Sequence, residues 1–235
     1  MNRTLTSIIK PELLICQPER GYRFSVDSLI LADFVSSSRD SRIIDIGAGS
    51  GVISAVLASI YGYTDIISLE LQSGLYGCLE ETVRVNGLDG IVKTVQGDVR
   101  DYVPDEPFDA AVCNPPYRDP STGRVPEGEE ELKARFTVSM EPADIFRFVR
   151  SRLRNKGSMF ICIDADLLPY MFVIGRENNL EPKRLRLCHN SIDTPAVLAL
   201  IEFRKGGRPE LRVEPPLIQR ENGVYTSEMR RILGE

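Results

Sequence analysis

The sequence predicts an α/β fold in which seven strands form a mostly parallel sheet, the last strand runs antiparallel, and helices cover both faces. Two observations indicate the parallel part. Short apolar runs alternate with amphipathic segments, and a glycine-rich turn follows the first of these runs. A third observation indicates the antiparallel strand: the final two runs lie about six residues apart, which is too close for a helical crossover.

The seven runs are taken as strands because they are short, apolar segments with β-forming residues, and the early ones are apolar on both faces, as expected for strands that helices cover. They occupy residues 42–46, 65–70, 91–96, 108–113, 158–163, 184–189 and 196–203. Ahead of them, LLICQ and GYRF flank Pro18–Gly21, which predicts a small N-terminal hairpin with its turn there. We expect three parts: a hairpin extension (1–27), the sheet domain (28–205) and a C-terminal tail packed on it (206–235).

The connecting helices are predicted from apolar residues at helical spacing. Between the first two strands the stripe comprises Val52, Ile53, Val56, Leu57 and Ile60. The next helix has its stripe at Leu75, Leu79 and Val83, with Ser73 as N-cap and Asn86-Gly87 as stop. A third stripe, at Ile145, Phe148, Val149 and Leu153, predicts a helix over residues 142–155. Asp27 and Ser28 are natural N-caps for a helix that precedes the first strand.

The composition is that of an ordinary globular chain. Of the 235 residues, 42% are hydrophobic and 27% charged, which excludes disordered, collagen-like and membrane-spanning classes. The net charge of −5 by itself speaks against a nucleic-acid partner. Residues 133–235 are nevertheless basic where residues 1–132 are acidic, so a local anionic partner and an ordinary solvated surface both remain open.

The cysteine and histidine content bears on compartment and metal binding. Five cysteines without a CxxC pair favour buried free thiols in a reducing compartment, and a single histidine argues against a zinc site. No continuous apolar segment marks the N-terminus or is long enough to span a bilayer. We therefore expect a cytoplasmic monomer without a metal and without a membrane partner.

The glycine-rich turn predicts a cofactor site. It reads Asp45-Ile-Gly47-Ala-Gly49-Ser-Gly51, whereas a dinucleotide fingerprint needs its third glycine at the position of Val52. Glycines allow a tight turn and a close approach of the backbone to a ligand, and a helix N-terminus favours a carboxylate. An acid beside the loop suits a ligand that also carries a positive charge, and S-adenosylmethionine has both groups on its methionine end.

Two further acids lie at the ends of the next two predicted strands. Glu70 ends the second strand, where a carboxylate can accept hydrogen bonds from both ribose hydroxyls, and Asp98 follows the third, placed for an adenine amino group. Each alone is more often a solvated acid at a strand end. Because Asp45, Glu70 and Asp98 follow successive parallel strands, we expect them to share the carboxyl edge of the sheet, where ligands bind.

The tetrapeptide Asn114-Pro115-Pro116-Tyr117 follows the fourth strand and predicts the catalytic site. The prolines stiffen the loop, and the Asn114 side-chain oxygen and the Pro115 carbonyl can accept hydrogen bonds from one planar amino group. That arrangement draws the nitrogen lone pair out of conjugation and directs it at a sulfonium methyl. Tyr117 offers a flat surface on which a base can stack.

These motifs resemble the Rossmann-like class I methyltransferases that act on planar amino groups. More closely, the chain is similar to the bacterial valine-tRNA adenine-N6 methyltransferases in QPERGYRFSVDSLILA (17–32), NPPYR (114–118), KARFT (133–137), the long stretch 184–218 and VYTSEMRRILG (224–234). The resemblance implies methylation of N6 of the tRNA adenine beside the anticodon. It implies cofactor contacts at Asp45, Gly47, Gly49, Gly51, Glu70, Asp98 and Asn114, and an acceptor grip at Asn114, Pro115 and Tyr117.

Several basic residues are candidates for contacts with tRNA phosphates near the NPPY edge, which is the edge of the sheet where the tetrapeptide 114–117 lies. These residues are Arg135, Arg204, Lys205 and Arg208. Arg147, Arg150 and Arg154 are expected on one side of the helix over 142–155, where a solvated face is the plainer interpretation. Three other functions remain open: glutamine N5 methylation of a protein, guanine-N2 methylation of ribosomal RNA, and RNA binding without catalysis.

Overall fold

A single mixed sheet organises the chain, of which the computed structural model describes residues 3–9, 13–19, 25–115 and 142–235. Its main strands, in chain order, are β3 (Arg42–Ile46), β4 (Asp65–Glu70), β5 (Val92–Gln96), β6 (Phe108–Cys113), β7 (Leu153–Asp164), β8 (Leu180–His189) and β9 (Ala196–Lys205). Across the sheet they are ordered β5-β4-β3-β6-β7-β9-β8. The strand order reverses between β3 and β6, so the carboxyl ends of these two strands border the crevice where ligands of open α/β sheets bind.

The strand directions confirm the predicted mostly parallel sheet with an antiparallel last strand. The strands β3 to β7 pair in parallel, whereas β9 lies antiparallel between β7 and β8. Two short strands, β10 (Arg212–Val213) and β11 (Leu217–Ile218), pair in parallel with β8 and extend the edge. The strands β12 (Arg220–Glu221) and β13 (Val224–Tyr225) form a separate short hairpin.

The N-terminal hairpin is confirmed, and LLICQ is one of its strands, but the partner strand is not the predicted one. It pairs β1 (Arg3–Ile8) with β2 (Leu13–Pro18), so its turn lies before LLICQ rather than at Pro18–Gly21. Residues 21–24, the predicted partner strand, lie outside the described residues. The hairpin packs on a helix of the domain: the Arg3 guanidinium donates to the Gly77 carbonyl at 2.7 Å, and Asn86 Nδ2 donates to the Leu14 carbonyl at 2.7 Å. These tertiary contacts decide which segment pairs with β2.

Helices cover both faces of the sheet. One face carries α1 (Val26–Phe34), α2 (Val52–Ser59), α3 (Ser73–Val85) and α6 (Ser227–Leu233), and the other carries α4 (Pro142–Arg152) and α5 (Leu168–Glu177). Neighbouring strand residues serve opposite faces: Ile43 is buried in the first cluster and Ile44 in the second. This two-sided burial explains why the strands read as continuous apolar runs.

Helix boundaries depart from the prediction at three places. The helix α3 begins at Ser73 with Gln72 as N-cap, and α1 begins at Val26 with Ser25 as N-cap, so Ser73, Asp27 and Ser28 are not caps. Leu153 begins β7 and does not belong to α4, because it pairs with Phe108 of β6. Arg154 therefore lies outside the helix, and its guanidinium donates to Asp109 at 2.7 Å.

Residues 206–235 return to the first face of the sheet. Leu217, Met229 and Ile232 are buried in its core cluster. The Arg231 guanidinium donates two hydrogen bonds to the Asp33 carboxylate of α1, at 2.7 and 2.9 Å. The five cysteines are all buried and free, as the sequence predicted.

Candidate active site

The glycine loop joins β3 to α2 at the carboxyl edge of the sheet. Gly47, Gly49 and Gly51 all have positive φ, at 69°, 58° and 83°. Gly47 N and Ala48 N donate to the Leu69 carbonyl of β4 at 2.9 and 3.0 Å, which anchors the turn. A Cβ on Gly51 would lie 2.6 Å from Leu79 Cδ1, whereas a Cβ on Gly49 would meet nothing within 4 Å. The loop is thus closed against α3 on one side and open beside Gly49, which leaves room for a ligand against its backbone.

Asp45 is a buried carboxylate beneath this loop, with 1% of its surface exposed. One oxygen accepts a hydrogen bond of 2.7 Å from Ser54 of α2, and the Ser54 and Ser68 hydroxyls are themselves bonded at 2.7 Å. The other oxygen, Oδ1, has no hydrogen-bond partner among the described residues. Burial raises the pKa of Asp45 to about 7, and the negative charge of Glu70 adds to the increase. A cationic ligand group at this place would pair with the free oxygen and restore the carboxylate's usual ionisation.

Glu70 ends β4 and faces the glycine loop. Its carboxylate accepts hydrogen bonds from Gly49 N at 2.8 Å and from Gln72 N at 2.7 Å. Burial raises the pKa of Glu70 although these backbone bonds act in the opposite direction. Glu70 therefore fixes the loop itself, in addition to being available to ligand hydroxyls through its remaining lone pairs.

Asp98 follows β5 on the same edge, where Gly97 N donates to the Glu70 carbonyl at 3.0 Å. Its carboxylate is engaged by Arg100, whose backbone N and side-chain Nε each donate at 2.9 Å. The Arg100 side chain lowers the pKa of Asp98, so this carboxylate stays ionised. Its expected contact with an adenine amino group remains a prediction.

Asn114 lies directly after β6, across the strand-order reversal from the glycine loop. The Cys113–Ile46 pairing sets the ends of β6 and β3 side by side, and Cys113 Sγ donates to the Ile46 carbonyl at 3.2 Å. Asn114 Nδ2 donates to Ser28 Oγ of α1 at 3.2 Å. Pro115 follows it, whereas Pro116, Tyr117, Arg135 and the segment 118–131 lie outside the described residues.

The structure does not bring Arg204, Lys205 and Arg208 to this edge. Because β9 is antiparallel, its residue Leu198 pairs with Asp164 at the carboxyl end of β7, and Arg204 pairs with Ser158, six residues earlier. At about 3.3 Å per residue that is roughly 20 Å away. The prediction that these side chains lie near the NPPY edge is therefore wrong.

Two of these cations are also engaged in the fold. Arg204 donates to the buried Glu202 at 2.7 Å, and Lys205 Nζ donates to the Leu153 carbonyl at 2.7 Å. On the helix α4, Arg147 pairs with Asp144 one turn away.

Three serines of the site were not among the site residues predicted from the sequence. Ser54 and Ser68 bind and support Asp45, and Ser28 binds Asn114. A signal was present for the first two, since each is a polar residue between two apolar neighbours in a buried segment: VISAVLAS of α2 and DIISLE of β4. Ser28 carried no such signal because its partner is 86 positions away in the sequence.

The residues present fit S-adenosylmethionine. The unpartnered oxygen of buried Asp45 suits its ammonium, the open backbone beside Gly49 at the start of α2 suits its carboxylate, and Glu70 suits its ribose hydroxyls. Within the described ranges, no group of three or more His, Cys, Asp or Glu side chains could hold a metal ion. No helix in that part of the chain is long and apolar enough to cross a membrane.

The chain is similar to known methyltransferases in sequence and in fold. The tRNA1(Val) (adenine(37)-N6)-methyltransferase of Parabacteroides distasonis is 27% identical over 184 residues, which are 77% of this chain and 76% of that protein. A predicted O-methyltransferase from Agrobacterium tumefaciens has a TM-score of 0.69 at 20% identity, covering 88% of this chain and 94% of its own. TYW2 of Pyrococcus horikoshii, in complex with MeSAdo, has a TM-score of 0.60 at 15% identity, covering 86% and 72%.

The two solved structures show the class I methyltransferase fold, in agreement with the strand order of the sheet. Residues 23–175, which include the glycine loop, all three acids and the NPPY tetrapeptide, match the family described as methyltransferase small domain. The chain therefore belongs to the methyltransferase small domain family, whose methyl donor is S-adenosylmethionine.

Proposed function

We propose that the protein transfers a methyl group from S-adenosylmethionine to the exocyclic N6 of a tRNA adenine next to the anticodon. The observation that carries this proposal is the position of Asn114-Pro115 at the end of β6, side by side with the glycine loop at the end of β3. The name of the Parabacteroides distasonis relative supports the choice of acceptor.

The cofactor side of the site lies on β3, β4 and β5. Asp45, the backbone beside Gly49, and Glu70 would hold the methionine and ribose parts, with Asp98 next to them for the adenine. When bound, S-adenosylmethionine supplies an electrophilic methyl group on its sulfonium. The chain's own contribution here is binding and orientation: buried carboxylates and a rigid loop hold the donor at the end of β3, next to β6.

The acceptor side begins at Asn114. Its side-chain Oδ1 and the Pro115 carbonyl would accept hydrogen bonds from the two N–H groups of one planar amino group. Both hydrogen bonds pull electron density onto the nitrogen, because the lone pair no longer conjugates freely with the ring. No strong base is needed for this step, since the methylated amino group carries a positive charge and loses a proton to water after transfer.

Tyr117 is predicted to provide a face on which the acceptor base stacks. An adenine in an anticodon loop is already unpaired, so bringing it into the site costs less than extruding a base from a duplex. The predicted cytoplasmic location and monomeric state belong to the same proposal.

The test is methyl transfer by the purified protein from radiolabelled S-adenosylmethionine. Total RNA and total protein, from cells that lack the gene, are offered separately as acceptors. We expect label in the small-RNA fraction, lost in Asn114→Ala and retained in Asn155→Ala, a matched change at an exposed residue near the opposite edge of the sheet. Label in protein alone would contradict the proposal and favour a glutamine acceptor.

A further inference from the structure

The first turn of α1 contacts Asn114, the first residue of the predicted acceptor site. Asn114 Nδ2 donates a hydrogen bond of 3.2 Å to Ser28 Oγ, which is the one side-chain partner the structure gives Asn114 among the described residues. Ser28 is the third residue of α1 and only 6% exposed. The buried hydroxyl of Ser28, on α1, thus binds the side chain of Asn114, the residue that follows β6.

In the structure the Nδ2 end of the Asn114 amide faces Ser28 Oγ. An asparagine side chain has a donor end, the NH₂ group, and an acceptor end, the carbonyl oxygen. With Nδ2 bound to Ser28, Oδ1 is the end left for an incoming amino group. The reversed amide would present N–H donors to the donor N–H bonds of the acceptor, and no hydrogen bond would form.

Ser28 is also held rigidly enough to serve as an anchor. Its backbone N–H donates to the Ser25 carbonyl at 3.2 Å, and the Ser25 hydroxyl donates to the Asp27 carboxylate at 2.7 Å, so the first turn is fixed by its own bonds. The next residues, Leu29 and Ile30, are 4% and 1% exposed in the core. Because the packing of α1 fixes the Ser28 hydroxyl, its hydrogen bond can restrict the orientation of the Asn114 side chain.

We propose that Ser28 is a positioning residue for methyl transfer, which holds the Asn114 amide with its oxygen towards the acceptor nitrogen. The inference rests on the proposed function and concerns the acceptor side of the site alone. Asp45 and Glu70, which are assigned to the cofactor, lie on β3 and β4, whereas Ser28 touches the residue after β6. Loss of the hydroxyl should therefore lower the rate of transfer far more than it weakens cofactor binding, to which Asn114 is only one of several predicted contacts.

The experiment compares Ser28→Ala and Ser28→Thr with the wild-type protein in single-turnover methyl transfer to tRNA, at saturating cofactor and RNA. For Ser28→Ala we expect the rate to fall about tenfold to a hundredfold, because small misplacements of reacting groups have effects of this size. The dissociation constant for S-adenosylhomocysteine and the KM for tRNA should change less than about threefold. Ser28→Thr keeps the hydroxyl and should recover most of the rate.

The matched control is Ser158→Ala. Ser158 is another buried serine with one side-chain partner, bonded to Glu202 at 3.0 Å, but it lies in the middle of β7, six residues before the carboxyl end at Asp164. The Ser158→Ala variant should lose about as much stability as Ser28→Ala but keep the wild-type rate of methyl transfer. Thermal unfolding of all variants separates a folding defect from a catalytic one. If Ser28→Ala does not fold, Ser28→Cys replaces it, because cysteine has nearly the same shape as serine but accepts hydrogen bonds only weakly.

The outcomes are distinguishable. If the wild-type protein does not methylate tRNA, the proposed function fails, and with it this inference. If the wild-type protein is active and Ser28→Ala keeps its rate, only the inference fails. Equal losses in Ser28→Ala and Ser28→Thr, or a loss confined to cofactor binding, would also overturn it.

Discussion

The charge state of Asp45 should control cofactor affinity near neutral pH. In the free protein burial raises the pKa of this carboxyl group to about 7, and its Oδ1 has no partner among the described residues. Pairing with the cofactor's ammonium would return that pKa towards its ordinary value near 3.8. Binding therefore requires the ionised form, and the fraction of the free protein in that form falls as the pH drops.

The expected effect follows from this pKa. Between pH 7.5 and pH 5.5 the ionised fraction of a group with a pKa of about 7 falls about 25-fold, and the dissociation constant should rise by about the same factor. A pKa change of roughly 3 units corresponds to about 4 kcal/mol between the fully ionised and fully protonated limits. In Asp45→Asn this pH dependence should largely disappear, and affinity at pH 7.5 should be lower than in the wild-type protein.

Calorimetric titration with S-adenosylhomocysteine, which has the same ammonium and carboxylate, measures this directly. The control is Asp98→Asn, since the pKa of Asp98 is lowered and this group does not titrate in the range tested. That variant should bind more weakly with an unchanged slope. A change in wild-type affinity of less than about threefold, or a wild-type slope in Asp45→Asn, would contradict this role of Asp45.

The same raised pKa has the opposite effect on the stability of the free protein. A group whose pKa is higher in the folded than in the unfolded state stabilises the fold below its unfolded pKa, and this stability is lost as the pH rises through the folded pKa. Asp45→Asn should thus melt at a higher temperature than the wild-type protein at pH 8 without cofactor. A lower melting temperature at that pH would contradict the assignment.

Two further predictions concern the glycine loop and the far edge of the sheet. Gly51→Ala should lower the free energy of unfolding by about 1–3 kcal/mol, because φ is positive and the new Cβ meets Leu79. Gly49→Ala should lower it by only about 1 kcal/mol, and its main effect should be a loss of cofactor affinity. The opposite order of stability would contradict the loop geometry. Joint replacement by alanine of Arg204, Lys205 and Arg208 should leave the salt dependence of tRNA binding unchanged. These three residues lie near the edge of the sheet opposite Asn114. A flatter salt dependence would show that RNA reaches that edge.

The sheet could be predicted from the sequence because its strands are buried on both faces and alternate with amphipathic helices. The short link between β8 and β9 was sufficient to predict an antiparallel pair, and the structure confirms it. The shared location of Asp45, Glu70 and Asp98 could be predicted because the carboxyl ends of parallel strands meet at one edge of the sheet.

What the sequence did not reveal depends on tertiary contacts. The turn residues Pro18–Gly21 favoured a hairpin at that place, but the structure pairs β2 with the preceding segment, where α3 supports both strands. Lys205 looked like an RNA contact because its charge is visible in the sequence, whereas its hydrogen bond to the Leu153 carbonyl is not. The Ser28–Asn114 bond joins residues far apart in the chain and could not be anticipated from either segment.

The central claim is that Asn114 grips an adenine amino group, and the identity of the labelled nucleoside tests it most directly. Transfer RNA from cells lacking the gene would be methylated with labelled S-adenosylmethionine, digested to nucleosides and separated, with a ribonuclease digest to map the position. We predict label in N6-methyladenosine at the residue next to the anticodon of a valine tRNA, absent with Asn114→Ala. Label in N2-methylguanosine, or none in tRNA, would contradict the account.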